Sequence, residues 1–196
     1  RSDMNSHYRK LTVGDTANFE CLRCGRCCSS GPNVGLTAFD ILRIAEHLGV
    51  EWQKLRGRHI IAVIADTIAI PILMDKGGGR CVFLEVLNGT PHCSIYPARP
   101  MKCKIYPFIL YSSGNKDTLY LDECCPGVKV EKTIEPPWKI LEKYIFELRV
   151  HYSTLYKLVF DYGIEPIEAL ERTIDEIAET YDFDERVKRS NNFSKG

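Results

Sequence analysis

Cys21, Cys24, Cys27 and Cys28 fall within eight residues, in the run C-x-x-C-x-x-C-C. A hydrophobic core gains little from four small thiols in one short loop. A metal gains four of the strongest ligands a protein can offer. Five more cysteines, Cys81, Cys93, Cys103, Cys124 and Cys125, bring the total to nine. An odd count suits a disulfide framework poorly, and a vicinal pair such as Cys27-Cys28 bridges to itself only under strain. Metal ligation is the chemistry these residues and spacings point to.

A zinc site made of cysteines and a [4Fe–4S] cluster each take four thiolates. Eight of the nine cysteines would therefore fill two centres. Neighbouring side chains diverge, so Cys27 and Cys28 serve two centres more readily than one. Zinc sites commonly show two C-x-x-C pairs well apart. Here three cysteines at two-residue spacing stand in one stretch, as bacterial ferredoxins hold three corners of a [4Fe–4S] cluster, and Cys125-Pro126 is similar to their fourth ligand. The spacing favours one or two iron–sulfur clusters, with zinc as the alternative. Arg23, Arg26, Arg80, Arg99, Lys102 and Lys104 stand close in sequence to cysteines and would offset the negative charge of the thiolates. Other candidates are weaker. His92 adjoins Cys93 but reads as a surface hairpin residue. His59 and His151 read as partly buried, and Tyr96 and Tyr106 as packing near the thiols. No Ser/His/Asp arrangement, phosphate loop or carboxylate pair stands out, so no catalytic residue is assigned and enzymatic activity stays open.

Turns and short elements must carry these ligands. Ser29-Ser30-Gly31-Pro32 closes the first run with turn chemistry. Thr37 and Asp40 form a capping-box pattern ahead of the apolar positions Ile41, Leu42, Ile44, Ala45 and Leu48, and Gly49 is the expected stop. A second short helix is expected over 51–56. Residues 60–74 read as one or two strands. Residues 80–87 read as a strand that turns at Asn88-Gly89 and returns through 92–96, which would set Cys81 and Cys93 on facing arms. Phe108–Ser112 and Thr118–Asp122 are expected to pair around Ser113-Gly114-Asn115. After Pro136-Pro137, apolar residues from Trp138 to Val159 recur at helical spacing. A second amphipathic helix starts at Pro166, and the tail from Asp184 is polar and expected to fray.

The chain has 196 residues, of which 44% are hydrophobic and 27% charged. The expected fold is α+β: a small cysteine-rich, metal-organised unit with short β-hairpins and an N-terminal helix, followed by a C-terminal antiparallel helix pair. The expected division is an N-terminal segment at 1–18, the cysteine unit at 19–134, the helical part at 135–185 and a frayed tail at 186–196. The net charge is zero, which argues against nucleic-acid binding driven by bulk charge. It is unevenly spread: residues 1–134 carry 17 basic and 13 acidic side chains, and residues 135–196 carry 9 and 13. The longest apolar run, Ile60 to Met74, contains Asp66 and Pro71 and is too short to span a bilayer. Nothing near the N-terminus reads as a secretion signal. The expectation is a cytoplasmic protein without membrane or nucleic-acid partners, acting on a redox or acceptor protein, with oligomerisation through the C-terminal helices open to it.

Several stretches together resemble the CxxCxxCC, or YkgJ-like, cysteine-cluster family. They are Phe19-Glu20-Cys21-x-x-Cys24-Gly25-x-Cys27-Cys28, Leu36-Thr37-x-x-Asp40-Ile41, Cys81-x-Phe83-Leu84, Cys93-x-Ile95-Tyr96-x-x-Arg99-Pro100-x-x-Cys103-x-x-Tyr106-Pro107-Phe108 and Cys125-Pro126-Gly127. The resemblance implies zinc or iron chelation. It also implies an eight-cysteine ligand set: Cys21, Cys24, Cys27, Cys28, Cys81, Cys93, Cys103 and Cys125, with Cys124 as the extra one. Some members resemble flagellin lysine-N-methylases, so a metal-dependent enzyme distantly like these is a further alternative. The chain is short for that, and it has no glycine-rich loop for the methyl donor.

Overall fold

The computed structural model describes residues 7–29, 34–111 and 117–193, with side chains described as far as residue 180. It is an α+β fold, as the sequence pattern implies. Strand β1 (Tyr8–Thr12) pairs antiparallel with β8 (Thr118–Asp122), and β8 with the short β7 (Phe108–Ile109). Leu119 and Leu121 alternate inward on β8, as a half-buried strand requires, and meet Leu11, Phe108, Leu141 and Ile145 in a small core. The segment before residue 19 thus contributes a strand to a sheet formed with residues more than 100 positions away. The turn at Ser113-Gly114-Asn115 lies outside the described residues.

A larger core gathers around α2 (Ala38–Leu48). The capping box is present: Thr37 Oγ1 accepts from the Asp40 N–H at 3.2 Å, and Asp40 Oδ2 accepts from the Thr37 N–H at 3.0 Å. Gly49 closes the helix in the left-handed conformation. The expected second helix is one 3-10 turn, Trp52–Leu55. Strands β3 (Ile60–Ala65) and β4 (Ile68–Leu73) form a hairpin. Its Ile60, Ala69 and Leu73 join Ile41, Ile44 and, from α5 (Pro166–Phe193), Ala169, Leu170 and Ile174. The long helix α4 (Trp138–Tyr156) ends in a wider π-type turn, Lys157–Asp161, and supplies Leu155 to the large core and Leu141 to the small one. The C-terminal helix pair therefore shares both cores with the cysteine-bearing part. The helical backbone of α5 extends through most of the polar stretch read as a frayed tail.

Several strands stop short of expectation: the one begun at Phe108 ends at Ile109, and the return through 92–96 ends at Cys93, ahead of a 3-10 turn at Tyr96–Ala98. Residues 80–87 form a strand only over β5 (Leu84–Leu87), which pairs with β6 (Thr90–Cys93) across Asn88-Gly89. The stretch before it is a turn because its amides are engaged elsewhere. The Cys81 N–H bonds the Cys28 carbonyl at 2.8 Å, and the Asp75 carboxylate takes the N–H groups of Gly77, Gly79 and Arg80. Cys93 therefore faces Leu84, not Cys81. Among the described residues, no helix is long and apolar enough to cross a membrane.

Candidate metal centre

Each cysteine is placed by a short local device. Cys21 and Cys24 lie in the loop after β2 (Ala17–Asn18), which pairs with β9 (Thr133–Ile134). Cys27 and Cys28 lie in α1 (Arg26–Ser29), a single turn closed by the Cys28 N–H and the Ser29 hydroxyl on the Gly25 carbonyl. Cys103 is on α3 (Met101–Ile105). Cys125 precedes a 3-10 turn, Pro126–Lys129.

Two glycines let these loops approach. Gly25 has φ +71°, and a Cβ there would sit 2.6 Å from Pro91 Cβ on β6. At Gly127 a Cβ would lie 2.2 Å from the Glu20 carbonyl oxygen, where the two chains are stitched by the Glu20 N–H on the Gly127 carbonyl at 3.0 Å.

The thiols grade from core to surface. Cys81 is buried, and Cys28, Cys93 and Cys103 are half-buried and pack against the large core. Cys125 is also half-buried, whereas Cys21, Cys24, Cys27 and Cys124 are exposed. Burial pushes the Cys81, Cys93 and Cys125 thiols up, and Cys103 up to about 12. Cys27 and Cys28 lie with their sulfurs 3.7 Å apart. Their mutual hydrogen bond pulls Cys27 down to about 7 and drives Cys28 up.

As thiolates, Cys28, Cys93 and Cys103 would each be repelled by Cys81, and Cys125 by Cys24 and Cys27. Cys27 touches both groups. Its sulfur lies 3.7 Å from that of Cys28, so the divergence of neighbouring side chains does not hold these two far apart.

The fit to a metal is chemical. Free thiols held at a core edge resist ionisation, and together as thiolates they would repel; a bound cation offsets both costs. Among the described residues, no three such side chains already stand where they could hold one ion. The fold brings the thiols into one neighbourhood without closing a coordination sphere.

Cations and polar anchors frame the thiols. Two guanidinium groups lie over the Tyr96 ring, Arg99 at 3.6 Å from its centroid and Arg23 at 5.0 Å. Arg99 also bonds the Tyr96 carbonyl and favours the thiolate forms of Cys27 and Cys93. Arg26 donates to the Cys124 carbonyl at 3.1 Å, and the Tyr106 hydroxyl to Asp122 at 3.1 Å. Lys104, close to Cys103 in sequence, is coupled instead to Arg43 and Lys143.

The deepest anchor is Asp40, fully buried. Besides capping α2, it accepts the Met101 N–H at 2.9 Å, at the start of the helix that carries Cys103. Arg43 ties it to Glu147 of α4 through contacts of 2.5 to 2.8 Å. Sequence reading finds the cap but not this second bond, since nothing local marks Met101 as its partner. His151, read as partly buried, is fully buried; its Nδ1 accepts the Ala38 N–H at 3.1 Å. His59 stacks on Phe83, and His92 is exposed on β6.

Comparison with known proteins agrees with this cysteine pattern. Residues 20–126 match the CxxCxxCC family, described as "Putative zinc- or iron-chelating domain". That span is more than half of the chain, and the protein belongs to this family. It is similar to the uncharacterized protein MJ0661 of Methanocaldococcus jannaschii, with 29% identity over 107 residues, covering 53% of this chain and 52% of the relative. The chain thus spans about half the length of the relative it matches. No solved structure matches. The family description supports metal binding and leaves the choice of zinc or iron open.

Proposed function

We propose that this protein binds iron–sulfur clusters in two four-thiolate sets and passes electrons or clusters to a partner protein. Cys28, Cys81, Cys93 and Cys103 form the inner set, and Cys21, Cys24, Cys27 and Cys125 the outer one, the two sets meeting at the 3.7 Å Cys27–Cys28 contact, with Cys124 left over. The observation that carries this reading is the placement of the thiols: Cys28, Cys81, Cys93 and Cys103 sit at the edge of the large core, and Cys21, Cys24 and Cys27 stand exposed on one short stretch. Cys21 joins the outer set through the tandem C-x-x-C spacing. Three cysteines at that spacing in one stretch favour iron–sulfur over zinc.

Bound clusters would supply one-electron redox chemistry. The chain's own contribution is positional and electrostatic. The Asp40 bond to Met101 sets the helix bearing Cys103. The Arg99 guanidinium favours thiolate at Cys27 and Cys93. The large core shields the inner set from water, while the exposed outer loop, rimmed by Arg23 and Arg26, offers a basic approach to an acidic redox or acceptor protein. A cytoplasmic location fits ligands that must stay reduced.

Anaerobic purification followed by iron, zinc and sulfide analysis and an absorption spectrum tests the reading. Iron and sulfide with a broad visible band are expected. A colourless protein with two zinc ions and no sulfide would establish the structural zinc alternative instead.

A further inference from the structure

Strand β3 has the sequence Ile-Ile-Ala-Val-Ile-Ala, with no charge, proline or glycine. Exposed edges of sheets are normally blunted by one of these. It pairs with β4 on one side, and on the other only its first residue, Ile60, is engaged, in a bridge to Arg56. The far side of β4 is occupied, because the Leu73 N–H bonds the Val34 carbonyl at 3.1 Å and the Leu36 N–H bonds the Pro71 carbonyl at 2.8 Å. Among the described residues, no strand pairs with the outer edge of β3. Ile61, Val63 and Ile64 are 41%, 44% and 54% exposed.

The hydrogen-bond phase of this edge is determined. The Met74 N–H bonds the His59 carbonyl across the hairpin. Antiparallel ladders alternate, so Ile61, Val63 and Ala65 direct their N–H and C=O groups toward β4, and Ala62 and Ile64 direct theirs outward. At Ile60 the outward carbonyl already accepts the Gly57 N–H. The bare stretch is therefore two residues long, with two donors and two acceptors, and ends at the turn residue Asp66, whose φ is +54°.

We propose that two copies of this chain associate through β3, paired antiparallel about a two-fold axis at Val63. In that register Ala62 of each copy faces Ile64 of the other, and the outward groups form four hydrogen bonds with none left over. Each large Ile64 falls beside a small Ala62, so the side chains fit as well. A closed, self-complementary contact of this kind is what a two-fold dimer requires. The association does not depend on the metal reading.

Sedimentation or light scattering from micromolar to submillimolar concentration tests it. Wild type should give twice the chain mass of 22.4 kDa. Val63→Lys and Val63→Asp, which set like charges against each other on the axis, should each give one chain mass with the helical circular dichroism intact. An equimolar mixture of the two should return to twice the mass. Ala62→Pro, which removes one outward donor and spares the ladder to β4, should also give one chain mass, and it serves if a charged variant fails to fold. A wild type of single mass, or variants that stay at double mass, overturns the proposal. Separated variants that do not recombine overturn the register.

Discussion

Cys103 and Cys21 carry the same chemical group on different supports. Cys103 stands on a helix whose first N–H is held by a buried carboxylate, and that carboxylate is tied through Arg43 to α4. Its thiol packs against a core built from α2, α4, α5 and the β3–β4 hairpin. Cys21 stands on an exposed loop stitched to the Pro126–Lys129 turn by the Glu20–Gly127 backbone hydrogen bond and the close approach at Gly127. The inner thiols are thus held by a scaffold that buries apolar surface in its own right. The outer thiols lie where there is little core to hold them, and ligation is the remaining way to fix such a loop.

The contrast breaks most visibly on metal removal. Four-thiolate sites contribute on the order of 10 kcal/mol where they organise a fold. Anaerobic chelation should therefore raise amide exchange across residues 21–29 and 124–127 by orders of magnitude while α2, α4 and α5 keep their protection. Uniform loss of protection would show that the helical part depends on metal equally. Ligand by ligand, Cys103→Ser and Cys125→Ser should each lower the metal content by about half, whereas Cys124→Ser should leave it unchanged.

Asp40→Ala attacks the scaffold directly. It leaves the Arg43–Glu147 pair short of a partner in a buried setting and frees the Met101 amide, at a cost of about 3–5 kcal/mol in denaturant unfolding. A smaller and reversible effect comes from His151, whose pKa burial pulls down to about 4. The unfolded chain takes up this proton near pH 6.5 and the folded chain only near 4. The stability it contributes is thus complete above pH 6.5 and lost as the pH falls toward 4, up to about 3 kcal/mol. His151→Gln should flatten that part of the stability–pH curve. Thr37→Ala, which removes the hydroxyl from the capping box, should cost about 1 kcal/mol and leave the metal content intact.

Features written in adjacent residues were legible in the sequence. The Thr37–Asp40 cap, the Gly49 stop, the Asn88-Gly89 hairpin and the Pro166 helix start all appear in the structure, because each depends on the chemistry of a few consecutive positions. Long-range partnerships were not. That β1 pairs with β8, that Asp40 reaches Met101 and that His151 accepts from Ala38 depend on how separate elements pack, and no local pattern records it. The Arg80–Leu87 strand failed for a related reason: Cys81 gives its N–H to Cys28, a contact between two cysteine loops 53 residues apart. At the candidate site, residue types and the tandem spacing pointed to a metal. The sorting of thiols into a shielded and an open group could be seen only once their burial was known.

The contact between Gly25 and Pro91 has a consequence for rate. With no side chain at position 25, the loop bearing Cys27 lies directly against the strand that ends at Cys93, and any added carbon must push the two apart. Electron tunnelling falls steeply with distance. If electrons pass between two centres as proposed, the missing methyl group at residue 25 would act as a spacer of zero thickness, and Gly25→Ala would slow the internal transfer by widening the gap while leaving all nine cysteines in the chain.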